Sequence, residues 1–224
     1  MDALRAFEGS LTPSERETLS RLTTPFRIQA FLDSIPYSTD PIYRSPRRVL
    51  RDRKAHCFDG GVFAAAALRR IGHPPRIVDM KAERDDDHLL AIYKVKGHFG
   101  AVAKSNFVGL RFREPIYRTL RELVLSYFEQ FYNLEREKTF RRYTVPLNLE
   151  SFDGLGWMWD DAPLERIAER LEVVRIIPAL TPGMIEDLSP VDERSYRAGM
   201  LGTDPAGLYR PPIREEDEPQ EALP

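Results

Sequence analysis

The segment from Ala55 to Gly72 places the strongest constraint on the fold. Its apolar residues recur at helical spacing, and it ends at Gly72, which is followed by His73, Pro74 and Pro75. Glycine ends helices readily, and proline cannot continue them. The periodicity and the stop signal together predict one buried helix over this segment.

The residues after this helix change to a strand pattern. β-branched and aromatic residues predict strands around residues 77–80, from His88 to Val95 and from Phe99 to Ala103. Lys96 and Gly97 fit a two-residue hairpin turn, since glycine accepts the positive φ that such turns require. The sequence therefore predicts an α+β fold in which a helix packs on an antiparallel sheet.

Extra helices are predicted on both sides of this core. A capping residue followed by proline indicates a helix start at Thr12, Thr24 and Ser45. Apolar residues from Ile116 to Phe131 line one side of a predicted long amphipathic helix. A later helix and a last strand are marked by Leu164, Ile167 and Leu171 and by residues 173–177.

Length and composition predict one main domain. The chain has 224 residues, of which 42% are hydrophobic and 30% charged, as in ordinary globular proteins. We assign residues 1–180 to the α+β domain and residues 181–224 to an irregular, proline-rich tail that ends in the acidic run Glu215–Glu218. The sequence leaves the oligomeric state open.

Charge and cysteine content exclude several functional classes. A net charge of -2 gives no basic footprint for nucleic acid, and no apolar run is long enough to span a membrane. The start of the chain lacks the pattern of a secretory signal. One cysteine forms no internal disulfide, and no zinc motif accompanies it. We therefore expect a cytoplasmic protein that needs no metal or organic cofactor.

Cys57, the only cysteine, is predicted at the start of the buried helix. A helix amino terminus lowers the pKa of a thiol, and its unpaired N–H groups can stabilise an oxyanion. Gly60 and Gly61 in the first turn would leave room for a substrate. The alternative is that Cys57 is a small buried hydrophobic residue, as solitary cysteines often are.

A nucleophilic cysteine needs a base, and the chain has four histidines. His88 ranks first, because its strand follows the helix and one strand and can return to the amino end of the helix. His56 ranks second, since adjacency in sequence does not bring its ring to the sulfur. His98 and His73 rank lower because both are predicted at the far ends of their elements.

At these residues the sequence resembles the transglutaminase-like superfamily of papain-type folds. The matching stretch runs from about Thr24 to Asn106, and its most specific part is Ala-His-Cys-Phe-Asp-Gly-Gly at 55–61 with the Gly72 exit. The resemblance implies a papain-like core, thiol acyl chemistry at Cys57 and His88 as the base.

One position departs from the pattern of that superfamily. The family places an aspartate that orients the histidine on the strand after the hairpin, and matching Phe99 to the usual tryptophan puts Ala103 there. Asn106, three residues on, is our candidate for the third catalytic residue, because an amide can fix the imidazole tautomer. Ser105 is a weaker candidate.

The leading hypothesis is a cysteine-dependent acyl-transfer enzyme, a peptidase, amidase or transamidase, whose partner is a peptide or protein amide. The alternative, motivated by Ala103, is a catalytically inactive module that recognises a peptide or partner protein. Acyl transfer from a thioester donor to an arylamine is a third possibility. It ranks low because no segment resembles a nucleotide site.

Two further features have open interpretations. Six of the eleven residues from Arg44 to Lys54 are basic, which indicates either a solvated face or a cleft border that attracts anionic substrates. Tyr37, Trp157 and Trp159 are expected to pack in the core, with a place in the cleft as the alternative.

Overall fold

A computed structural model describes residues 2–210, which contain nine α-helices and seven strands. The helices are α1 (Ala3–Ser10), α2 (Pro13–Ser20), α3 (Pro25–Asp33), α4 (Pro46–Asp52), α5 (Cys57–Arg70), α6 (Leu120–Leu125), α7 (Ala162–Val173), α8 (Pro182–Glu186) and α9 (Glu193–Gly199). The strands are β1 (Arg76–Ala82), β2 (His88–Val95), β3 (His98–Val102), β4 (Arg113–Tyr117), β5 (Phe140–Thr144), β6 (Leu147–Asn148) and β7 (Ile176–Pro178).

The strands form one antiparallel sheet in the order β4-β3-β2-β1-β5-β7, with β6 paired to β1. Side chains alternate across β2, so its two faces enter different cores. Leu89 and Ala91 face α5, whereas His88 and Leu90 face the side on which α6 packs. The chain is thus α+β, with the Cys57 helix on one face of an antiparallel sheet, as the sequence predicts.

Local signals predicted the short helices and the hairpin well. Thr12 forms a capping box with Glu15 at the start of α2, and the side chain of Thr24 caps α3. Lys96 and Gly97 both have positive φ, of 50° and 85°, as a primed hairpin turn requires. These features depend on a few neighbouring residues, which explains why the sequence alone is sufficient to predict them.

The predicted long helix from Ile116 to Phe131 is wrong. Residues 113–117 form β4, which pairs with β3, and Thr119 then caps the short helix α6. Ile116 lies on this edge strand with 67% of its surface exposed. The apolar spacing fitted a helix, but pairing with the edge of the sheet decided the structure of these residues.

The C-terminal segment is largely irregular, with α8 and α9 within it. Its last described part, residues 201–210, runs past the amino end of α5. The acidic run Glu215–Glu218 lies outside the described residues. Within residues 2–210, no helix is both long enough and apolar enough to cross a bilayer.

Candidate active site

Cys57 is the first residue of α5, and hydrogen bonds on both sides of it fix its position. The N–H of Ser38 donates to the carbonyl of Ala55 at 3.0 Å, which ties the loop after α3 to the residues before the helix. Nδ1 of His56 accepts hydrogen bonds from the N–H groups of Phe58 at 3.2 Å and Asp59 at 3.4 Å. His56 is therefore the N-cap of α5, a structural role that occupies its Nδ1.

A buried charge network supports the same helix start. Oδ1 of Asp59 accepts a hydrogen bond from the backbone N–H of Arg44 at 2.7 Å, and the Arg44 guanidinium lies 3.6 Å from Oδ2. The guanidinium also contacts Ser38, Asp40 and Asp52. Burial raises the pKa of Asp59 to about 7, and the hydrogen bond from Arg44 partly opposes that rise. The network fixes the loop 38–45 against α5.

The glycines of α5 have a packing role. A Cβ on Gly60 would lie 2.2 Å from Cβ of Lys104, and one on Gly61 would lie 2.8 Å from Cδ2 of Leu89. We expected these glycines to leave room for substrate. Instead Gly61 allows α5 to approach β2 closely, and Gly60 allows it to approach the segment that follows β3.

The surroundings of Cys57 favour the protonated thiol over the thiolate. Its Sγ lies 3.7 Å from the carbonyl oxygen of Asp87, to which it donates. Burial raises the pKa of Cys57 to about 12, and the carboxylates of Asp86 and Asp79 add to the rise. The helix terminus was expected to lower this pKa. Desolvation and nearby negative charge outweigh the helix, because both disfavour the thiolate.

Tyr37 lies directly beside Cys57. Its hydroxyl lies near the backbone and the side chain of Cys57, and burial raises the pKa of Tyr37. We expected Tyr37 to pack in the core, but it is half-buried, whereas Trp157 is fully buried. The signal available in the sequence was the Ile-Pro-Tyr motif at 35–37, which does not specify where the tyrosine hydroxyl lies.

His88 is a buried, neutral imidazole whose tautomer is fixed by the backbone. Its Nε2 forms a 2.7 Å hydrogen bond with the carbonyl oxygen of Leu110. A carbonyl only accepts, so Nε2 carries the proton and Nδ1 is left as the basic nitrogen. Burial lowers the pKa of His88 to about 4, with the Arg113 cation contributing.

Cys57 and His88 line the same cavity, of about 30 Å³, together with Tyr37 and Asn106. A second cavity, of about 420 Å³, lies outside it and is lined by Cys57, Tyr37 and residues 206–209. The topology thus brings Cys57 and His88 to the lining of one crevice, although they are 31 residues apart in the sequence (88 − 57). Their chemical roles remain predictions.

The third candidate, Asn106, has other partners. Its Nδ2 donates to the carbonyl of Asp204 at 2.9 Å, and its Oδ1 accepts from the Asp204 N–H at 2.8 Å. At the position predicted for an acid, Gln29 bonds both backbone groups of Ala103, at 3.1 and 2.9 Å. The Leu110 carbonyl takes the orienting position for which we had proposed Asn106, and no side-chain motif could have predicted it.

One carboxylate cluster close to Cys57 could hold a cation. Oxygens of Asp79, Asp87 and Glu172 lie within 4.8 Å of one another. The ammonium of Lys81 contacts them at 2.9, 2.8 and 2.6 Å respectively. Burial alone would lower the pKa of Lys81, but these carboxylates raise it overall. The positive charge that balances the cluster therefore comes from the chain itself.

Four of the six basic residues between Arg44 and Lys54 form ion pairs within the described part of the chain. Arg44, Arg48, Arg51 and Lys54 each contact an aspartate. The residues that line the cavities at Cys57 are acidic instead, with Asp86 and Asp87 in both. Arg44 is buried and holds the loop beside the cleft in place. The geometry does not support the idea that this segment attracts anionic substrates.

The described part of the chain is an α+β protein with an antiparallel sheet and several helices. No known protein-family model matches the chain, and no curated protein matches its sequence.

Solved structures of LapG from Legionella pneumophila are similar to this chain at low identity. One covers 46% of this chain and 68% of its own at 14% identity and a TM-score of 0.33. The calcium-bound form has 15% identity, 46% and 70% coverage and a TM-score of 0.33. The EGTA-treated form has 12% identity, 73% and 95% coverage and a TM-score of 0.40. This is a distant likeness of fold, and no inference about chemistry rests on it.

Proposed function

We propose that this protein is a cysteine-dependent acyl-transfer enzyme that acts on amide bonds, as a peptidase, amidase or transamidase. The observation that carries the proposal is the shared crevice of Cys57 and His88, in which the Leu110 carbonyl leaves Nδ1 of the imidazole as the basic nitrogen. A thiol, a base of fixed tautomer and a nearby hydroxyl are the groups that thiol acyl transfer needs.

The proposed first step forms a thioester. The proton of the Cys57 thiol passes to Nδ1 of His88 while Sγ attacks the amide carbonyl carbon. The oxyanion that forms accepts hydrogen bonds from the Tyr37 hydroxyl and the Cys57 N–H, which lie together at the start of α5. The C–N bond then breaks, and the leaving amine takes the proton from the imidazolium.

The proposed second step releases the acyl group. Water or an acceptor amine attacks the thioester carbonyl and gives a proton to Nδ1 of His88, and the sulfur leaves as thiolate and takes that proton back. His56 has no place in either step, because its Nδ1 caps α5. The N–H groups of Phe58 and Asp59 are committed to that cap, which leaves the Cys57 N–H as the donor in the first turn.

A comparison of variants tests this proposal. The purified protein would be assayed against a library of fluorogenic peptides and amides. Cys57→Ala should abolish turnover, and His88→Ala should lower kcat/KM by about 10²–10⁴-fold, the usual contribution of a general base. His98→Ala is the matched control, because that ring bonds only the Lys96 carbonyl in its own hairpin, and it should keep full activity. Turnover that survives Cys57→Ala would rule out the proposal.

The second candidate function is a binding module without catalysis. The raised pKa of Cys57, about 12, and the small volume of the inner cavity favour it. The two functions differ in the fate of a bound peptide: an enzyme cleaves it or transfers its acyl group, whereas a binding module leaves it unchanged. Mass spectrometry of library peptides after incubation, with Cys57→Ala as the reference, separates these outcomes.

A further inference from the structure

Residues 201–209, here called the strap, run along the groove that contains Cys57. At one end a cavity of about 530 Å³ is lined by residues 201–204 and by Tyr37 and Asn106. At the other end the cavity of about 420 Å³ is lined by residues 206–209 and by Tyr37 and Cys57. The strap therefore crosses a groove that continues on both sides of Tyr37.

The Asn106 side chain of the groove binds the backbone of the strap. The Asn106 amide donates to the carbonyl of Asp204 at 2.9 Å and accepts from the N–H of the same residue at 2.8 Å. Asp204 is extended, with φ -82° and ψ 116°, and so is Leu208, with φ -95° and ψ 128°. A paired contact with N–H and C=O recognises an extended peptide whatever its side chain, as in strand-addition binding.

One position of the strap requires glycine for reasons of space. A Cβ on Gly207 would lie 2.8 Å from Cδ1 of Tyr37 and 3.1 Å from Nδ2 of Asn106. Its φ lies outside the positive region that only glycine adopts easily, so the requirement comes from the groove and not from the backbone. The same Tyr37 contacts Cys57, which places this tight point beside the nucleophile.

We propose that the strap occupies the place of a substrate peptide, so that the chain restrains its own thiol. The substrate class that follows is an extended peptide clamped by Asn106, with glycine where it passes Tyr37. This inference rests on the proposed function only where it calls the bound peptide a substrate. The occupancy of the groove and its effect on the thiol can be measured without turnover.

The first experiment compares two glycine substitutions in the full-length chain. Gly207→Val should expel the strap, whereas Gly183→Val in α8 meets nothing within 4 Å and is the control. The rate of alkylation of Cys57 by iodoacetamide at pH 8 is unambiguous, because the chain has one cysteine. We expect the rate to rise at least about tenfold for Gly207→Val and to stay unchanged for Gly183→Val. A Gly207→Val protein that labels at the wild-type rate would overturn the inference.

A second experiment separates release of the strap from unfolding. The synthetic peptide Thr-Asp-Pro-Ala-Gly-Leu-Tyr, capped at both ends, is added to Gly207→Val. It should restore protection of Cys57, and the same peptide with valine in place of glycine should not. An unfolded protein cannot be protected in this way, so absence of protection overturns the inference.

The two proposals fail in different ways. Fast labelling of Gly207→Val and protection by the glycine peptide, without turnover of any amide, would support the proposal about the strap and contradict the proposal that the protein is an enzyme. Equal turnover by the wild type and Gly207→Val, with equal labelling, would support the proposal that the protein is an enzyme and contradict the proposal about the strap.

Discussion

Cys57 lies between two walls that are built in different ways. The inner wall is the loop 38–45 with the start of α5, held by the buried Arg44 guanidinium, Asp59 and the His56 cap. The outer wall is the strap, which is held mainly by two exposed hydrogen bonds between Asn106 and Asp204. The groups of the inner wall are buried in the protein, whereas the hydrogen bonds that hold the strap are exposed to solvent. We therefore expect the strap to open at a lower free-energy cost than the inner wall.

The largest effect is expected at the inner wall. Arg44→Met removes a guanidinium whose side chain is 2% exposed and leaves Asp59 buried without its cation. The free energy of unfolding should fall by about 3–5 kcal/mol, the usual cost of breaking a buried ion pair. Urea denaturation at pH 8 measures this.

The control for Arg44 is Arg51→Met. Arg51 contacts Asp52 with 58% of its side chain exposed, so its loss should cost less than about 1 kcal/mol. Equal losses for the two variants would mean that the inner wall is no more rigid than the surface.

An intermediate effect is expected from the pH dependence of the His56 cap. Burial lowers the pKa of His56 from 6.5 to about 4 in the folded protein. A lowered folded-state pKa stabilises the protein above pH 6.5, and this contribution is lost as the pH falls through 4. As the pH falls from 6.5 to 4, the free energy of unfolding of the wild type should fall by about 1–3 kcal/mol relative to that of His56→Asn. The asparagine can still cap α5 and does not titrate.

The difference between these two proteins isolates His56, since buried carboxyls with raised pKa values, such as Asp79 and Asp85, contribute with the opposite sign in both. Unfolding by urea from pH 4 to 8 provides the measurement, with His98→Asn as the control. Parallel curves for the wild type and His56→Asn would show that the ring is not a buried cap.

The smallest effect is expected at the outer wall. Asn106→Ala removes both hydrogen bonds to Asp204 but should lower the free energy of unfolding by no more than about 0.5–1.5 kcal/mol, because the groups are exposed to water. Amide hydrogen exchange of Asp204 should accelerate, while exchange at the Arg44 N–H, bonded to buried Asp59, should not change. Acceleration at both amides would mean that the two walls open together.

The sequence was most informative where the signal is local. Thr12 and Thr24 cap helices through their own neighbours, and the Lys96–Gly97 turn depends on two residues. The order of helix, strand and hairpin was sufficient to bring Cys57 and His88 to one crevice. The prediction of a long helix over residues 116–131 failed, because apolar spacing does not show whether a sheet edge is available for pairing.

The electrostatic state of the site could not be predicted from residue types. The helix start at Cys57 favours a thiolate in isolation, but the pKa rises to about 12 because desolvation and the acidic neighbours dominate. The orienting partner of His88 is a backbone carbonyl at Leu110, which any residue could supply. The clamp between Asn106 and Asp204 joins residues 98 positions apart.

The sequence by itself determined the helix that begins at Cys57, its glycine exit, the hairpin and the placement of Cys57 and His88 at one crevice, because each depends on short-range backbone preferences or on the order of elements. The tertiary structure alone decided the raised pKa of the thiol, the hydrogen-bond partner of the imidazole and the segment that lies over the crevice. These depend on burial and on contacts between distant segments, and both exist only once the chain has folded.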